Sequence, residues 1–346
     1  MILEHSGTVR AGTEYHSNLQ FLDSSVEEST YVYSLVPEYK LSALDDKNKW
    51  FGSLGVNFQR ASNQNVLGNR EDPFATLGWE RLFESGKLEL LADYTRQTSR
   101  ITQFNTTGAV LQDGTSVVKN YSASWDYYLS QKLTLNTNAR YQDNIFTGVA
   151  GLGNFNLRDF GVALKYAYSE SIMPYFSALA TDFKADGVPE NFETRYQTYT
   201  GGVEVSLTPQ FSYIADIGFV QFNSTSDDEI VGKLTATYLG ERYDLSGTLE
   251  RSVFPTGLGF IDVAESLSSA FKYNLTPRSS WGVNLGLREN KSGVDTQELI
   301  GFYDFEITNT WLMHVEASQR NLKFTGQDSV DDTSLGVFFT YTSPKF

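Results

Sequence analysis

The chain has 346 residues, 40% hydrophobic and 14% aromatic, with a mean hydropathy of −0.32 and no cysteine. No run reaches the ~18 apolar residues of a membrane helix, and the missing thiols exclude disulfides and cysteine-held metals or haems. A formal charge of −15 leaves no surplus of cations to displace phosphate counterions, which argues against nucleic acid as a partner.

Twenty Tyr, 24 Phe and 5 Trp beside 28 Gly and only 8 Pro favour strands over helices. The opening "MILEHSGTVRAG" lacks a basic start and a long apolar run, so it reads as a mature exported chain carrying an initiator Met. An absence of cysteine fits passage through an oxidising compartment. Taken in order, alternating segments fall near 5–15, 29–41, 49–60, 73–82, 88–99 and 118–129. They continue near 132–144, 157–168, 173–184, 195–207, 211–222 and 229–239, then 242–252, 261–273, 280–290, 297–307, 311–322 and 333–342. No stretch has helical periodicity and no linker divides the chain, so residues 1–346 read as one all-β domain of about eighteen strands.

Connections alternate in length. "ALDDKNK", "FESGK", "SQK", "SESI", "TPQ", "LGER", "LTPRS" and "TNT" are short; segments such as "RITQFNTTGAVLQDGTS", "DNIFTGVAGLGNFN" and "ENKSGVD" are longer and polar. That pattern implies a transmembrane antiparallel up-and-down β-barrel, with short turns and both termini periplasmic and long loops outside. The segment 100–116 is the longest loop; it either folds inward as a constriction or forms an external hairpin around Asp113-Gly114.

The run "YSASWDYYLSQKLTLNTNARY" (121–141) shows what the two faces meet. Trp125, Leu133 and Leu135 share a face that continues as Leu88, Leu90, Ala92 and Tyr94, as Phe160, Val162 and Leu164, and as Val283, Leu285 and Leu287. Beside the short turns this face ends in Trp50, Trp79, Tyr127, Phe211, Tyr243, Tyr273, Trp281, Phe305 and Trp311, read as a membrane-interface girdle against outer-membrane lipids. The other face carries Glu89, Asp93, Asp126, Arg140, Lys165, Glu204, Asp216, Lys233, Asp244, Glu250, Arg288, Asp304, Glu306, His314, Glu316 and Arg320, joined by Glu38, Lys40 and Glu80. Such charges are costly inside a sandwich core. They are cheap in a water-filled lumen, which about eighteen strands are wide enough to enclose. Acids outnumber bases there two to one, implying cation preference, while the Ser, Thr, Asn and Gln between them suit neutral hydroxylated solutes.

The residues offer no catalytic constellation. His16, Ser17 and Asn18 are adjacent and point to opposite sides of a strand end, so they read as a polar loop start. His314 with Asp304 and Glu316 reads as a hydrogen-bonding cluster. "TSDDE" (225–229) and "DSVDD" (328–332) are solvated acidic loops that at most bind calcium weakly. No cofactor or metal site is expected.

The first hundred residues resemble barrels associated with exopolysaccharide biosynthesis and export. "GTEYHSNLQF" supplies a Gly-x-x-Tyr-x-x-Asn strand end at Gly12, Tyr15 and Asn18; "YSLVPEYKLSA" supplies a strand with a central Pro at Pro37, and "WFGSLGVNFQRAS" follows. The terminal Phe346 is similar to the assembly signal of Gram-negative outer-membrane proteins, although Pro344 interrupts it and Val337, Phe339 and Tyr341 are out of phase. The resemblance implies an outer-membrane conduit for a neutral or cationic polysaccharide beside a periplasmic export apparatus. A diffusion porin for small sugars is the alternative.

Overall fold

The computed structural model describes residues 2–22, 27–100, 103, 113–149, 151–186, 192–223, 228–256 and 258–345. Its strands are β1 (Ile2–His16), β2 (Thr30–Leu44), β3 (Asn48–Ala61), β4 (Arg70–Phe83), β5 (Gly86–Thr98) and β6 (Thr115–Tyr128). Then come β7 (Leu133–Thr147), β8 (Phe155–Tyr166), β9 (Ile172–Ala185), β10 (Phe192–Ser206), β11 (Phe211–Phe222) and β12 (Glu229–Leu239). The last are β13 (Tyr243–Pro255), β14 (Ile261–Thr276), β15 (Ser279–Asn290), β16 (Val294–Thr308), β17 (Trp311–Phe324) and β18 (Val330–Thr342). Each strand pairs antiparallel with its sequence neighbours, and β1 pairs with β18, so the sheet closes into an eighteen-stranded barrel. All eighteen lie where alternation put them, with no boundary more than three residues away.

Most larger differences extend a strand at the long-loop end, where polar residues read as loop still join the ladder. Cross-strand ion pairs support it there: Arg60–Glu71 (3.0 Å), Lys119–Asp143 (3.5 Å), Lys184–Glu193 (2.7 Å) and Arg195–Asp182 (3.3 Å). One expectation about loops needs correction for this reason. "ENKSGVD" is not a long loop; β15 and β16 are joined by residues 291–293 alone, with Gly293 at φ +86°.

The opposite end is built from one recurring device. Asp45, Ser130, Ser169, Thr208, Thr276 and Thr308 each open a turn, and their side chains accept backbone N–H groups two residues on. Asp45, Ser130, Thr208 and Thr308 also take the next N–H. These Asx- and Ser/Thr-turns satisfy the amides that the reversal frees from the ladder. Both described termini lie at this end, where the Ser343 N–H donates to the Gly7 carbonyl at 2.8 Å. Phe346 lies outside the described residues.

The β1–β18 seam has a ladder of nine residue pairs, fewer than most neighbours. Side chains clamp both of its ends. At one, the Gly7 N–H donates to Ser343 Oγ (2.8 Å) and Lys345 pairs with Glu4 (2.9 Å). At the other, His16 Nδ1 lies 2.9 Å from the fully buried Asp332, which also accepts the Asn18 N–H at 3.0 Å. His16 Nε2 faces Glu14 at 3.4 Å, and Glu14 accepts from Ser334 at 2.9 Å. Asp332→Ala strands a buried histidine and a backbone donor, and is expected to destabilise the closed barrel by about 3–5 kcal/mol. A lowered heating temperature for its electrophoretic shift checks this; an unchanged temperature denies the seam that role.

Candidate functional site: the inner wall

Which face points inward follows from contacts that skip a strand, since only a concave wall brings side chains of second neighbours together. Lys165 on β8 reaches Glu204 on β10 at 2.6 Å, and Tyr175 Oη on β9 donates to Asp216 on β11 at 2.9 Å. The Arg288 guanidinium of β15 likewise stands 4.1 Å over the Phe254 ring of β13.

The pairing register carries this face around the sheet. It places Glu89, Asp93, Asp126, Arg140, Lys165, Glu204, Asp216, Lys233, Asp244, Glu250, Arg288, Asp304, Glu306, His314, Glu316 and Arg320 on the inward side, with Glu38, Lys40 and Glu80. Trp50, Trp79, Tyr127, Phe211, Tyr243, Tyr273, Trp281, Phe305 and Trp311 lie on the outward side beside the short turns. Several meet there, with ring centroids 5.5 Å apart for Trp50–Trp79, 5.1 Å for Tyr238–Tyr243 and 5.2 Å for Trp311–Tyr341.

The inward charges are mostly paired. Lys87 serves both Glu80 (2.9 Å) and Glu89 (3.3 Å), Arg140 binds Asp159 (2.6 Å), Lys233 faces Glu250 (3.5 Å) and Arg320 binds Glu298 (2.6 Å). His314 sits between Asp304 (2.7 Å) and Glu316 (3.2 Å), its ring stacked on Phe302. Asp126 accepts from Asn136 (2.6 Å) and Asp93 from Thr76 (2.9 Å). Sequence reasoning omitted Glu14, Asp72, Asp159, Glu298, Asp332, Arg10, Lys49, Arg70, Lys87 and Lys272 from this wall. All obey the same alternation, so the signal was present; carboxylates stay in the majority with them included.

Inward aromatic rings lie over glycines of the neighbouring strand. A Cβ on Gly12 would stand 2.2 Å from the Phe338 ring, on Gly55 2.4 Å from Phe74, on Gly78 2.1 Å from Phe51 and on Gly282 2.4 Å from Phe302. At Gly202 it would meet both Tyr175 and Asp216 at 2.7 Å, so this glycine opens the path of their hydrogen bond. Each ring is thereby laid along the wall rather than projecting across the lumen.

At the long-loop end buried residues gather on two sides of the inner wall. Across β8–β12 an apolar bed of Phe155, Leu157, Phe183, Tyr196, Val220 and Val231 is buried on the inner face. Opposite, residues 17–22 after β1 and residues 62–69 after β3 lie against the start of the loop after β5. Gln20 Nε2 donates to the Val66 carbonyl at 3.0 Å, and Arg100 Nη2 donates to the same oxygen at 2.5 Å; Val66, Leu67, Ser99 and Gln103 are buried. The external hairpin around Asp113-Gly114 is ruled out. Gly114 O accepts the Ser99 N–H at 3.0 Å and Asp113 accepts from Thr98 at 2.8 Å, so both residues close the loop's base, not its tip. Residues 104–112 lie outside the described residues.

The acidic segments are engaged too. Glu229 opens β12 and pairs with Arg251 (3.0 Å) and Lys291 (2.6 Å), and Asp332 belongs to the seam. Among the described residues no cluster could hold a metal ion. Residues 225–227 lie outside them.

An apolar outer wall, a charged and hydroxylated inner wall and full closure define a class: this is the fold of outer-membrane β-barrels. No family model matches the chain, and no curated protein matches it. Solved structures do. Acinetobacter baumannii OccAB4 aligns over 100% of this chain and 99% of its own at TM-score 0.55 and 12% identity. The Pseudomonas aeruginosa outer membrane protein OpdK aligns over 99% of each chain at TM-score 0.56 and 8% identity. The Pseudomonas aeruginosa siderophore receptor PirA is covered over only 80% of its length, and this chain over 98%, at TM-score 0.52 and 10% identity. At such identities the likeness is one of fold.

The facing is directly testable at Ala123 and Ser124, adjacent on β6 near mid-strand. Ala123→Lys, on the outer face, is expected to cost about 2–4 kcal/mol of stability in lipid. Ser124→Lys, on the inner face, should cost well under half of that. Equilibrium unfolding in lipid vesicles measures both, and equal losses refute the assignment.

Proposed function

We propose that this barrel resides in the outer membrane of a Gram-negative bacterium and forms a water-filled channel for hydroxylated solutes, neutral or cationic. The observation that carries the reading is the inner wall. Its charges are largely cancelled in pairs, its remaining surplus is carboxylate, and hydroxyl or amide groups such as Ser122, Asn138, Thr200, Thr235 and Thr248 line the stretches between. Cancelled pairs present donors and acceptors without a strong net field, which suits sugars; the carboxylate surplus repels anions. His16 and His314, each held between carboxylates, serve structure in this reading and not catalysis.

A second reading, a conduit for an exported polysaccharide working with a periplasmic apparatus, draws on the rings laid flat over glycines. They leave mid-wall free of projections that would catch a sliding chain. The two readings differ in cargo and share one pore.

Reconstitution into planar bilayers tests the shared claim. Steady conductance is expected with cations preferred over anions, and Asp216→Asn with Glu204→Gln should lower that preference. A pore that stays shut, or one preferring anions, refutes the channel reading. Unchanged polymer on the surface of a deletion strain removes the second.

A further inference from the structure

The pairing register sets five inward residues opposite one another on successive strands: Asp216 on β11, Lys233 on β12, Glu250 on β13, Ser266 on β14 and Arg288 on β15. Their charges run minus, plus, minus, neutral, plus. All five line one cavity of about 550 Å³ on the inner wall. That volume falls within the ~300–1,000 Å³ typical of small-molecule sites. None of the five is buried. The row is not consumed by its own pairing. Lys233 Nζ stands 3.5 Å from Glu250, beyond the ~2.7–2.9 Å of a close charged hydrogen bond. Among the described residues it makes no ion pair with Asp216, its opposite neighbour on the other side. Asp216 Oδ2 accepts from Tyr175 at 2.9 Å, and among the described residues its Oδ1 has no hydrogen bond. The Arg288 guanidinium is held over the Phe254 ring at 4.1 Å, with Nε donating to Asn290 Oδ1 at 2.9 Å.

The rows on either side carry no charge across β12–β14. Toward the short turns the facing positions are Thr235, Thr248 and Ser268, the first two hydroxyls 3.0 Å apart. Toward the long loops the next inward positions are Val231, Ser252 and Ala264, short side chains that leave the space above the row open. A solute ion of either sign therefore meets a like charge within two strand spacings. A run of neutral hydroxyls instead finds acceptors on the acids, donors on Lys233 and both on Ser266. Four spacings of ~4.8 Å make the row about 19 Å long, longer than one sugar ring. Because barrel strands tilt by ~40°, a row perpendicular to them climbs about 12 Å along the pore axis. We propose that this row is a binding track for a neutral linear oligosaccharide, with more than one sugar ring engaged at once. Its hydroxyls lie on Asp216, Lys233, Glu250 and Ser266 in succession. The track deepens the channel reading by naming a solute, and rests on that reading only for access to the lumen.

Calorimetric titration of the purified full-length barrel in detergent tests this, with glucose, cellotetraose, maltotetraose and tetragalacturonate as probes. At least one neutral tetraose should bind about tenfold or more tighter than glucose, because added rings bring further hydrogen bonds to the row. Tetragalacturonate should bind more weakly than that tetraose, since its carboxylates meet Asp216 and Glu250. Lys233→Ala and Ser266→Ala, both on the open lumen wall, should each weaken the tetraose severalfold. Tetraoses no tighter than glucose, tighter binding of tetragalacturonate, or unchanged affinity in both variants would overturn the proposal. A conducting, cation-preferring pore whose barrel binds no tetraose sinks the track and leaves the channel reading standing. A shut pore whose barrel still binds the tetraose does the reverse.

Discussion

Closure of the backbone ladder is the constraint on which everything else depends. In hydrocarbon an unpaired N–H or C=O finds no water, so a sheet survives there only without edges. The architecture follows: antiparallel neighbours throughout, turns whose freed amides are taken by their own first side chain, and a seam where the first strand meets the last. The seam is the one junction that no covalent turn holds in register. Its nine-pair ladder is accordingly flanked by side-chain clamps at both ends, including a buried histidine–aspartate contact. The one proline in β2 obeys the same logic: no pairing with β3 is made at Val36 or Pro37, and pairing resumes at Glu38.

Once the ladder is closed, odd and even residues face different solvents, and this is why so much could be read from the sequence. Strand number, order and approximate limits were all legible, because a period of two repeated eighteen times leaves little freedom. The inward charges were legible by the same parity. Of those omitted, Arg70, Asp72, Lys87 and Asp332 lie just beyond the segments read as strand, whereas Glu14, Asp159 and Glu298 lie within them and obey the same parity. His16 shows the cost of ending a segment early. Read as the start of a loop, it is the last residue of β1 and a buried part of the seam. The motif that carried the resemblance gains physical meaning in the same place. Gly12 seats the Phe338 ring, Tyr15 packs on Tyr31 at 5.2 Å, and Asn18 donates to Asp332.

What parity could not supply is anything that depends on curvature. Contacts that skip a strand arise because the wall is concave, and no spacing in the chain encodes which second neighbours will meet. Lys165 with Glu204, and Tyr175 with Asp216 across Gly202, are of this kind. Loop direction was equally hidden. Residues 17–22, 62–69, 99 and 100 are polar enough for solvent, yet they pack together because Val66 and Leu67 find burial there and Gln20 and Arg100 find the Val66 carbonyl. Long-range packing decided, not local composition.

The reach of the inner wall's charges is set by screening and by their pairing. Coulomb interactions between separated, solvated charges are screened within about 10 Å at 0.1 M ionic strength. The acid majority therefore acts as a diffuse bias at the aqueous centre of the lumen. Close to the wall, each carboxylate bonded to its own cation has its field largely cancelled within a few ångströms.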